Sequence, residues 1–181
     1  MNHFAGPLPG LIIIEPRVFS DERGYFYESF KQQDYALLGI PNFVQDNISR
    51  SKKNTLRGLH FQIGVHAQGK LVFVTRGSVL DVVVDIRRDS PSFGQSFSIT
   101  LNDENHRQMY IPPGFAHGFC VLSEEADFIY KCTTHYQPGT EGGICWNDPE
   151  LNIDWPTNEP ILSPKDKLHP TLAELLTEKT K

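Results

Sequence analysis

From Ser96 to Leu101 every second side chain is apolar: Phe97, Ile99 and Leu101 fall on one face of an extended segment, and Ser96, Ser98 and Thr100 on the other. This is the period of a β-strand with one buried face. Short apolar runs at 11–14, 24–30, 70–75, 78–86, 108–111, 118–122 and 127–133 repeat the signal at close spacing and predict further strands. The 14 glycines and 13 prolines lie between these runs and do not gather in a linker, so they read as turns. Arg76-Gly77-Ser78 predicts a hairpin turn, because glycine accepts the positive φ that tight turns demand. Many short strands joined this way predict an antiparallel sandwich or barrel.

Helical signal is thin. Residues 31–38 followed by Gly39 predict a short helix with a glycine stop. Ser163-Pro164-Lys165-Asp166 resembles a helix start, with serine as cap and proline in the first turn, and 171–179 predicts one more short helix. No repeat, low-complexity tract or charge block divides the 181 residues, so one domain spanning 1–181 is expected.

Composition then removes several classes of function. With 39% hydrophobic and 22% charged residues the chain has the make-up of a folded protein. Seventeen Lys+Arg stand against 22 Asp+Glu, and the net charge of −5 argues against nucleic acid while leaving room for a local basic pocket. The longest apolar runs, such as Leu11–Ile14 and Val82–Val84, fall far short of the roughly 20 residues that cross a bilayer. Residues 1–9 show no secretory signal, and Cys120, Cys132 and Cys145 have unrelated spacings that suggest reduced thiols, so a cytoplasmic protein is expected.

The polar residues that stand out lie in strand-like text: Arg57, His60, Lys70, His117 and Tyr130. Pro112-x-Gly114-x-x-His117 resembles the second motif of the cupin superfamily, whose histidine is often a metal ligand. The first cupin motif supplies His-x-His and a nearby carboxylate; here the stretch reads His60-Phe61-Gln62, with no Asp or Glu before Lys70. A transition-metal site needs three or four converging donors, and Lys70 adds a competing cation, so no metal is expected. Histidine takes and returns protons near neutral pH, lysine can stabilise an oxyanion, and a tyrosine hydroxyl can deliver a proton from another direction. Such parts suit proton abstraction beside a carbonyl. Taken singly, His60 and Tyr130 also read as hydrogen-bonded core residues.

Longer motifs carry a more specific resemblance. Phe43-Val44-Gln45-Asp46-Asn47, residues 51–62, Gln68-Gly69-Lys70-Leu71-Val72, Asp85-Ile86-Arg87 with Ser90-Pro91-Ser92-Phe93-Gly94, residues 104–108, 111–119 and 142–156 occur in order. Together they closely resemble the dTDP-4-dehydrorhamnose 3,5-epimerase family from about Leu11 to Asp166. The resemblance implies an all-β, cupin-type jelly-roll sandwich or barrel with a few short helices. It implies His60 as general base, Asp166 as the carboxylate that orients it, Tyr130 as the opposite-face acid and Lys70 as the group that stabilises the enolate. His117 resembles a substrate contact, as do Arg23, Glu28, Gln45, Asp46, Asn47, Arg57, Glu141 and Lys165; Tyr136 keeps a ring able to stack on a nucleobase. The implied reaction is inversion of dTDP-4-dehydro-6-deoxy-D-glucose at carbons 3 and 5, with a nucleotide sugar as partner and neither metal nor redox cofactor. A homodimer is implied too, with the N-terminal segment and its Arg23 and Glu28 completing the neighbour's site. A related epimerase inverting one carbon, and a non-catalytic sugar-binding cupin, are the alternatives.

In Thr133-Thr134-His135-Tyr136 the family commonly shows an acidic or amide residue followed by two aromatics, so Thr134 and His135 depart from the pattern and bear on base recognition. His106 reads as a solvated turn histidine, His3, His66 and His169 carry no motif, and Cys132 reads as a small buried residue.

Overall fold

The computed structural model describes residues 1–178 and is built on two antiparallel sheets. The first has six strands in the order β1 (Asn2–Ala5), β2 (Ile12–Glu15), β10 (Gln108–Ile111), β7 (Lys70–Arg76), β12 (Glu125–Cys132) and β5 (Gln45–Lys52). The second has five: β13 (Glu141–Gly143), β6 (Leu56–Gln62), β11 (Phe115–Val121), β8 (Ser78–Asp85) and β9 (Ser96–Asn102). A separate ribbon pairs β3 (Phe19–Asp21) with β4 (Gly24–Phe26).

The expected alternation is realised in β9, where Phe97, Ile99 and Leu101 turn inward while Ser96, Ser98 and Thr100 are exposed. The segment 24–30 is strand only over the three residues of β4. Gly77 also departs from expectation. It has φ +78°, as a turn glycine should, but β7 and β8 belong to different sheets, so the turn is a corner carrying the chain from one layer to the other and not a hairpin. A Cβ there would lie 2.1 Å from the Glu125 carbonyl oxygen.

Helix α1 covers Gln32–Ala36, with Gly39 at φ +76° beyond its end. The start at Ser163 makes its cap bond, Asp166 N to Ser163 Oγ at 3.1 Å, but yields a single 3₁₀ turn over Asp166–Leu168. Helix α2 covers Leu172–Glu178; Lys179, the last residue of the expected helix, lies outside the described residues. Thr171 and Glu174 close a reciprocal capping box on α2: the Thr171 amide donates to Glu174 Oε2 at 2.8 Å, and the Glu174 amide to Thr171 Oγ1 at 3.3 Å.

Val72, Val83, Leu101, Met109 and Phe128, all essentially without exposure, fill the space between the sheets. Each such side chain contributes about 1.5–3 kcal/mol of burial free energy. The outer face of the five-stranded sheet is covered by the C-terminal third, through Ile144, Leu151, Trp155 and Leu172. On the outer face of the six-stranded sheet, α1 sets Tyr35 against Ile14, Leu71 and Tyr110. Packing in this way leaves the end of the sandwich near β5, β12, β6 and β11 as the place where a cavity opens.

His106 is not a solvated histidine. It is buried at φ +50°, with its ring 4.7 Å from that of Tyr25 and 4.9 Å from that of Tyr27, so it anchors the chain just beyond the β3–β4 ribbon. Cys132 is fully buried, as expected of a small core residue.

Candidate active site

Strands β6 and β11 place His60 directly opposite His117. Their ladder shifts register between His117 and Phe119, and Gly58 makes the shift possible. At φ +135°, a Cβ on Gly58 would sit 2.5 Å from the Gly118 Cα. Only glycine permits both that conformation and that approach.

The two histidines open onto a cavity of about 220 Å³ lined by Ser49, Arg57, His60, Lys70, His117 and Tyr130, with Ser163, Lys165 and Asp166 at one side. Phe119 and Phe128 form its apolar floor, stacked at 4.1 Å. The walls come from both sheets: His60 and His117 from the five-stranded one, Lys70 and Tyr130 from the six-stranded one. His60 and Tyr130 thus reach the cavity from different sheets.

Each histidine is backed by its own aspartate. His60 Nε2 lies 2.5 Å from Asp166 Oδ1, and His117 Nε2 lies 2.9 Å from Asp81 Oδ2. Burial raises the Asp166 pKa, but the hydrogen bonds from His60 and at Ser163 outweigh it and leave the carboxyl below its usual value. Asp166 is thus a carboxylate at neutral pH, and it accepts the Nε2 proton of His60 so that Nδ1 carries the free lone pair. At the second pair burial dominates: it pushes the His117 pKa down and the Asp81 pKa up, favouring the uncharged forms. Burial likewise holds the Lys70 ammonium below its ordinary pKa, with Asp81 and Glu141 acting against the shift, and raises the Tyr130 phenol. The Lys70 Nζ stands 5.9 Å from the Tyr130 ring centre.

At the rim, Lys165 and Tyr136 both donate to Glu141 Oε2, the tyrosine at 2.8 Å. The Tyr136 amide donates to Gln45 Oε1 at 2.8 Å, and Gln45 Nε2 to Asn47 Oδ1 at 3.1 Å. Arg57 is held by its Nε donating to Ser51 Oγ at 3.1 Å. Gln45, Asn47, Arg57, Tyr136, Glu141 and Lys165 thus join one polar rim beside the cavity.

Three sequence candidates stand elsewhere. Asp46 cannot share a face with Gln45 and Asn47, because neighbouring residues of a strand point to opposite sides; it is 62% exposed and paired with Lys131 at 2.8 Å. Arg23 is 85% exposed on the β3–β4 ribbon, bonded to Asp21, and Glu28 lines a recess with Arg17, Lys31 and Tyr35. Neither lines the cavity. His135 is exposed.

The structure also adds residues that the motifs did not single out. Asp81 lies in the apolar run of β8, and an aspartate among valines was its signal. Ser49 follows Gln45 and Asn47 by the strand period, and its buried Oγ has no partner among the described residues. His169, without a motif, stands edge-on to His60 with ring centres 5.5 Å apart, so a set of potential metal donors exists where none was expected.

A double-sheet sandwich whose open end holds a His–Asp pair, a lysine and a tyrosine around one cavity defines a general acid–base enzyme. Residues 5–174 match the family model described as dTDP-4-dehydrorhamnose 3,5-epimerase. The dTDP-4-dehydrorhamnose 3,5-epimerase of Salmonella typhimurium is 55% identical over 175 residues, covering 94% of this chain and 96% of that protein. The Pseudomonas aeruginosa enzyme of the same name is 56% identical over 163 residues, covering 88% and 90%. The crystal structure of dTDP-6-deoxy-D-glucose-3,5-epimerase from Legionella pneumophila in complex with dTDP-4-keto-L-rhamnose superposes with a TM-score of 0.93 at 53% identity, covering 98% of this chain and 95% of that one. This chain belongs to the dTDP-4-dehydrorhamnose 3,5-epimerase family.

Proposed function

We propose that this protein inverts dTDP-4-dehydro-6-deoxy-D-glucose at carbons 3 and 5, giving dTDP-4-dehydro-L-rhamnose. The observation that carries the reading is the meeting of His60–Asp166, Lys70 and Tyr130 around one cavity, with base and acid on facing sheets. The 4-keto group acidifies both neighbouring carbons. His60 Nδ1 takes a proton from one of them, and Asp166 stabilises the imidazolium that forms. Lys70 stabilises the charge arriving on the carbonyl oxygen. Tyr130 then delivers a proton to the opposite face, which inverts the carbon; His60 gives its proton to solvent, the Tyr130 phenolate takes one back from solvent, and the cycle repeats at the second carbon.

Arg57 and Lys165 supply positive charge for the diphosphate, Gln45, Asn47, His117 and Glu141 are polar contacts, and Tyr136 offers a ring to the base. The proposal includes a homodimer. Arg23 and Glu28 lie outside their own chain's cavity, and the ribbon that carries Arg23 exposes Phe19, Tyr25 and Phe26, a surface suited to burial against a second copy. Asp46, on the outer face of β5 and paired with Lys131, has no part in this scheme. A cytoplasmic setting fits the three unpaired cysteines. Among the described residues no helix is long and apolar enough to cross a membrane.

Incubation with the dTDP-4-keto sugar in deuterated water tests the reaction. Deuterium at both carbons 3 and 5 of the inverted product is expected; deuterium at carbon 3 alone would reassign the protein to single-carbon inversion, and none at either carbon would remove the activity.

A further inference from the structure

We propose that His60, Asp166 and His169 form a chelating site for a divalent transition ion of the zinc type, and that an ion held there switches the proton transfer off. The inhibitory half of this inference rests on the acid–base reading above; the site itself does not. One donor atom from each of the three residues lies within 4.8 Å of the other two. His169 Nε2 is 3.6 Å from Asp166 Oδ1, too far for a hydrogen bond, and the atom is buried without a partner among the described residues.

The His169 ring is built into this position. Its side chain is only 10% exposed, and a Cβ on Gly143 would lie 2.3 Å from its Cε1, so the missing side chain at Gly143 gives the imidazole its berth. Gly143 itself pairs with His60 across β13 and β6, which fixes the second histidine relative to the first. A buried imidazole nitrogen aimed at a carboxylate, yet not bonded to it, is an unmet donor–acceptor requirement.

The donor chemistry selects the ion. Two imidazoles and one carboxylate suit zinc and its borderline neighbours and are poor for magnesium or calcium. With metal–ligand bonds of about 2.0–2.2 Å, tetrahedral donors stand about 3.4 Å apart. Asp166 and His169 already have that separation; His60 must swing slightly away from Asp166 and towards His169. Three protein ligands leave the fourth position to water from the cavity. Lys165 beside the site repels an incoming cation, whereas Glu141, kept ionised by its hydrogen bonds from Lys165 and Tyr136, attracts it.

Loss of activity follows from proton bookkeeping. The ion replaces the proton on His60 Nε2, which leaves to solvent, and engages the Asp166 carboxylate. A metal-bound imidazole is a weaker base at Nδ1, and a carboxylate committed to the ion no longer stabilises an imidazolium. His60 and Asp166 therefore serve either the reaction or the ion, never both, while His169 serves only the ion.

The test uses the full chain freed of metal by chelation, the wild type beside His169→Gln, which keeps the volume of the ring, and His169→Ala. Cobalt(II) titration is read by its tetrahedral ligand-field absorption, and zinc titration by calorimetry and by epimerisation. Expected are one ion per chain in the wild type, affinity lowered at least tenfold in both variants, and metal-free turnover equal in all three proteins. Zinc should inhibit the wild type, EDTA should restore it, and the variants should need at least tenfold more zinc for the same inhibition. Equal cobalt affinity in wild type and variants, or no ligand-field bands, overturns the site, and equal zinc sensitivity overturns its inhibitory role. A metal-free wild type that binds cobalt through His169 but does not epimerise the sugar would sink the activity reading and leave the site standing. One that epimerises but binds no cobalt would sink only this inference.

Discussion

His60 and His117 face one another as a paired position on β6 and β11, yet their aspartates place them in opposite electrostatic situations. Asp166 is held ionised and can stabilise a charged imidazole, whereas the fully buried Asp81 shares with His117 an environment that favours neutral groups. In the proposed reaction the two histidines therefore take different parts: His60 works with an ionised partner as the base, whereas burial disfavours charge on His117, which is left as a polar contact.

Asp166→Asn is the sharpest test of that difference. The amide keeps the shape of the carboxylate but cannot stabilise an imidazolium, so turnover should fall by about 10²–10⁴-fold while dTDP binding changes little. Steady-state kinetics with a parallel binding titration checks it. Turnover within a factor of three of wild type would mean that His60 works without its partner.

Arg57 reaches the cavity from β6 and is anchored on Ser51. Removing a charge-assisted hydrogen bond to a diphosphate costs about 1.5–3 kcal/mol, so Arg57→Ala should weaken dTDP binding by that amount, and Ser51→Ala by less. Calorimetry with dTDP reads both. An unchanged dissociation constant for Arg57→Ala would take the arginine out of the phosphate site.

The motif Asp85-Ile86-Arg87 with Ser90 and Ser92 is a scaffold remote from the cavity lining. Asp85 accepts hydrogen bonds from Arg87 N, Nε and Nη2 and from both serine hydroxyls. Burial alone would raise its pKa, but these bonds outweigh it and drive the value far below the ordinary carboxylate range. A folded-state pKa below the unfolded one means stability that is present above about pH 4, the unfolded aspartate value, and lost as the pH falls from there towards the folded value. Asp85→Asn should therefore cost about 1.5–3 kcal/mol at pH 7, and the gap to wild type should shrink below pH 4. Urea unfolding at pH 7, 4 and 3 measures it; a gap independent of pH would contradict the assignment.

Gly58 is expected to tolerate no side chain. Gly58→Ala combines a φ of +135° with a 2.5 Å approach to the Gly118 Cα, and should cost about 2–4 kcal/mol or force β6 out of register with β11. Thermal unfolding and the near-ultraviolet circular dichroism of the variant report the loss. A Gly58→Ala protein as stable as wild type would show that the backbone relaxes there at little cost.

How much of this was legible in the sequence depended on what each strand faces. β9 was readable because one side meets the core and the other water. β5 was not, because its inward positions, Gln45, Asn47, Ser49 and Ser51, are polar and serve the rim and the cavity, so the usual hydrophobic alternation is missing. β6 is buried on both faces for most of its length and shows no alternation at all. His60, Lys70 and Arg57 lie in the long motifs, Tyr130 stood out in strand-like text and Asp166 came with the family resemblance, and the structure brings all five to one cavity although up to 109 positions separate them. His169 had no such signal: its position depends on Gly143, a tertiary contact that spacing cannot reveal.

Stereochemistry separates the roles of His60 and Tyr130. Inversion requires a proton removed from one face of the sugar and another returned to the opposite face, and the two residues sit on different sheets across the cavity. His60→Ala should abolish both hydrogen exchange at carbons 3 and 5 and inversion, since no enolate forms without the base. Tyr130→Phe should uncouple them. His60 would still remove a proton and return one that has exchanged with solvent to the same face, so deuterium should enter without a change of configuration. Inversion should drop by about 10²–10⁴-fold, the usual contribution of a general acid. Burial raises the Tyr130 pKa, so the phenol stays protonated through neutral pH and the wild-type acid step should not fail there as the pH rises from 6 to 8. Proton NMR of the product in deuterated water distinguishes exchange from inversion in a single sample. If Tyr130→Phe inverts both carbons at the wild-type rate, water is the acid and Tyr130 is only part of the cavity wall.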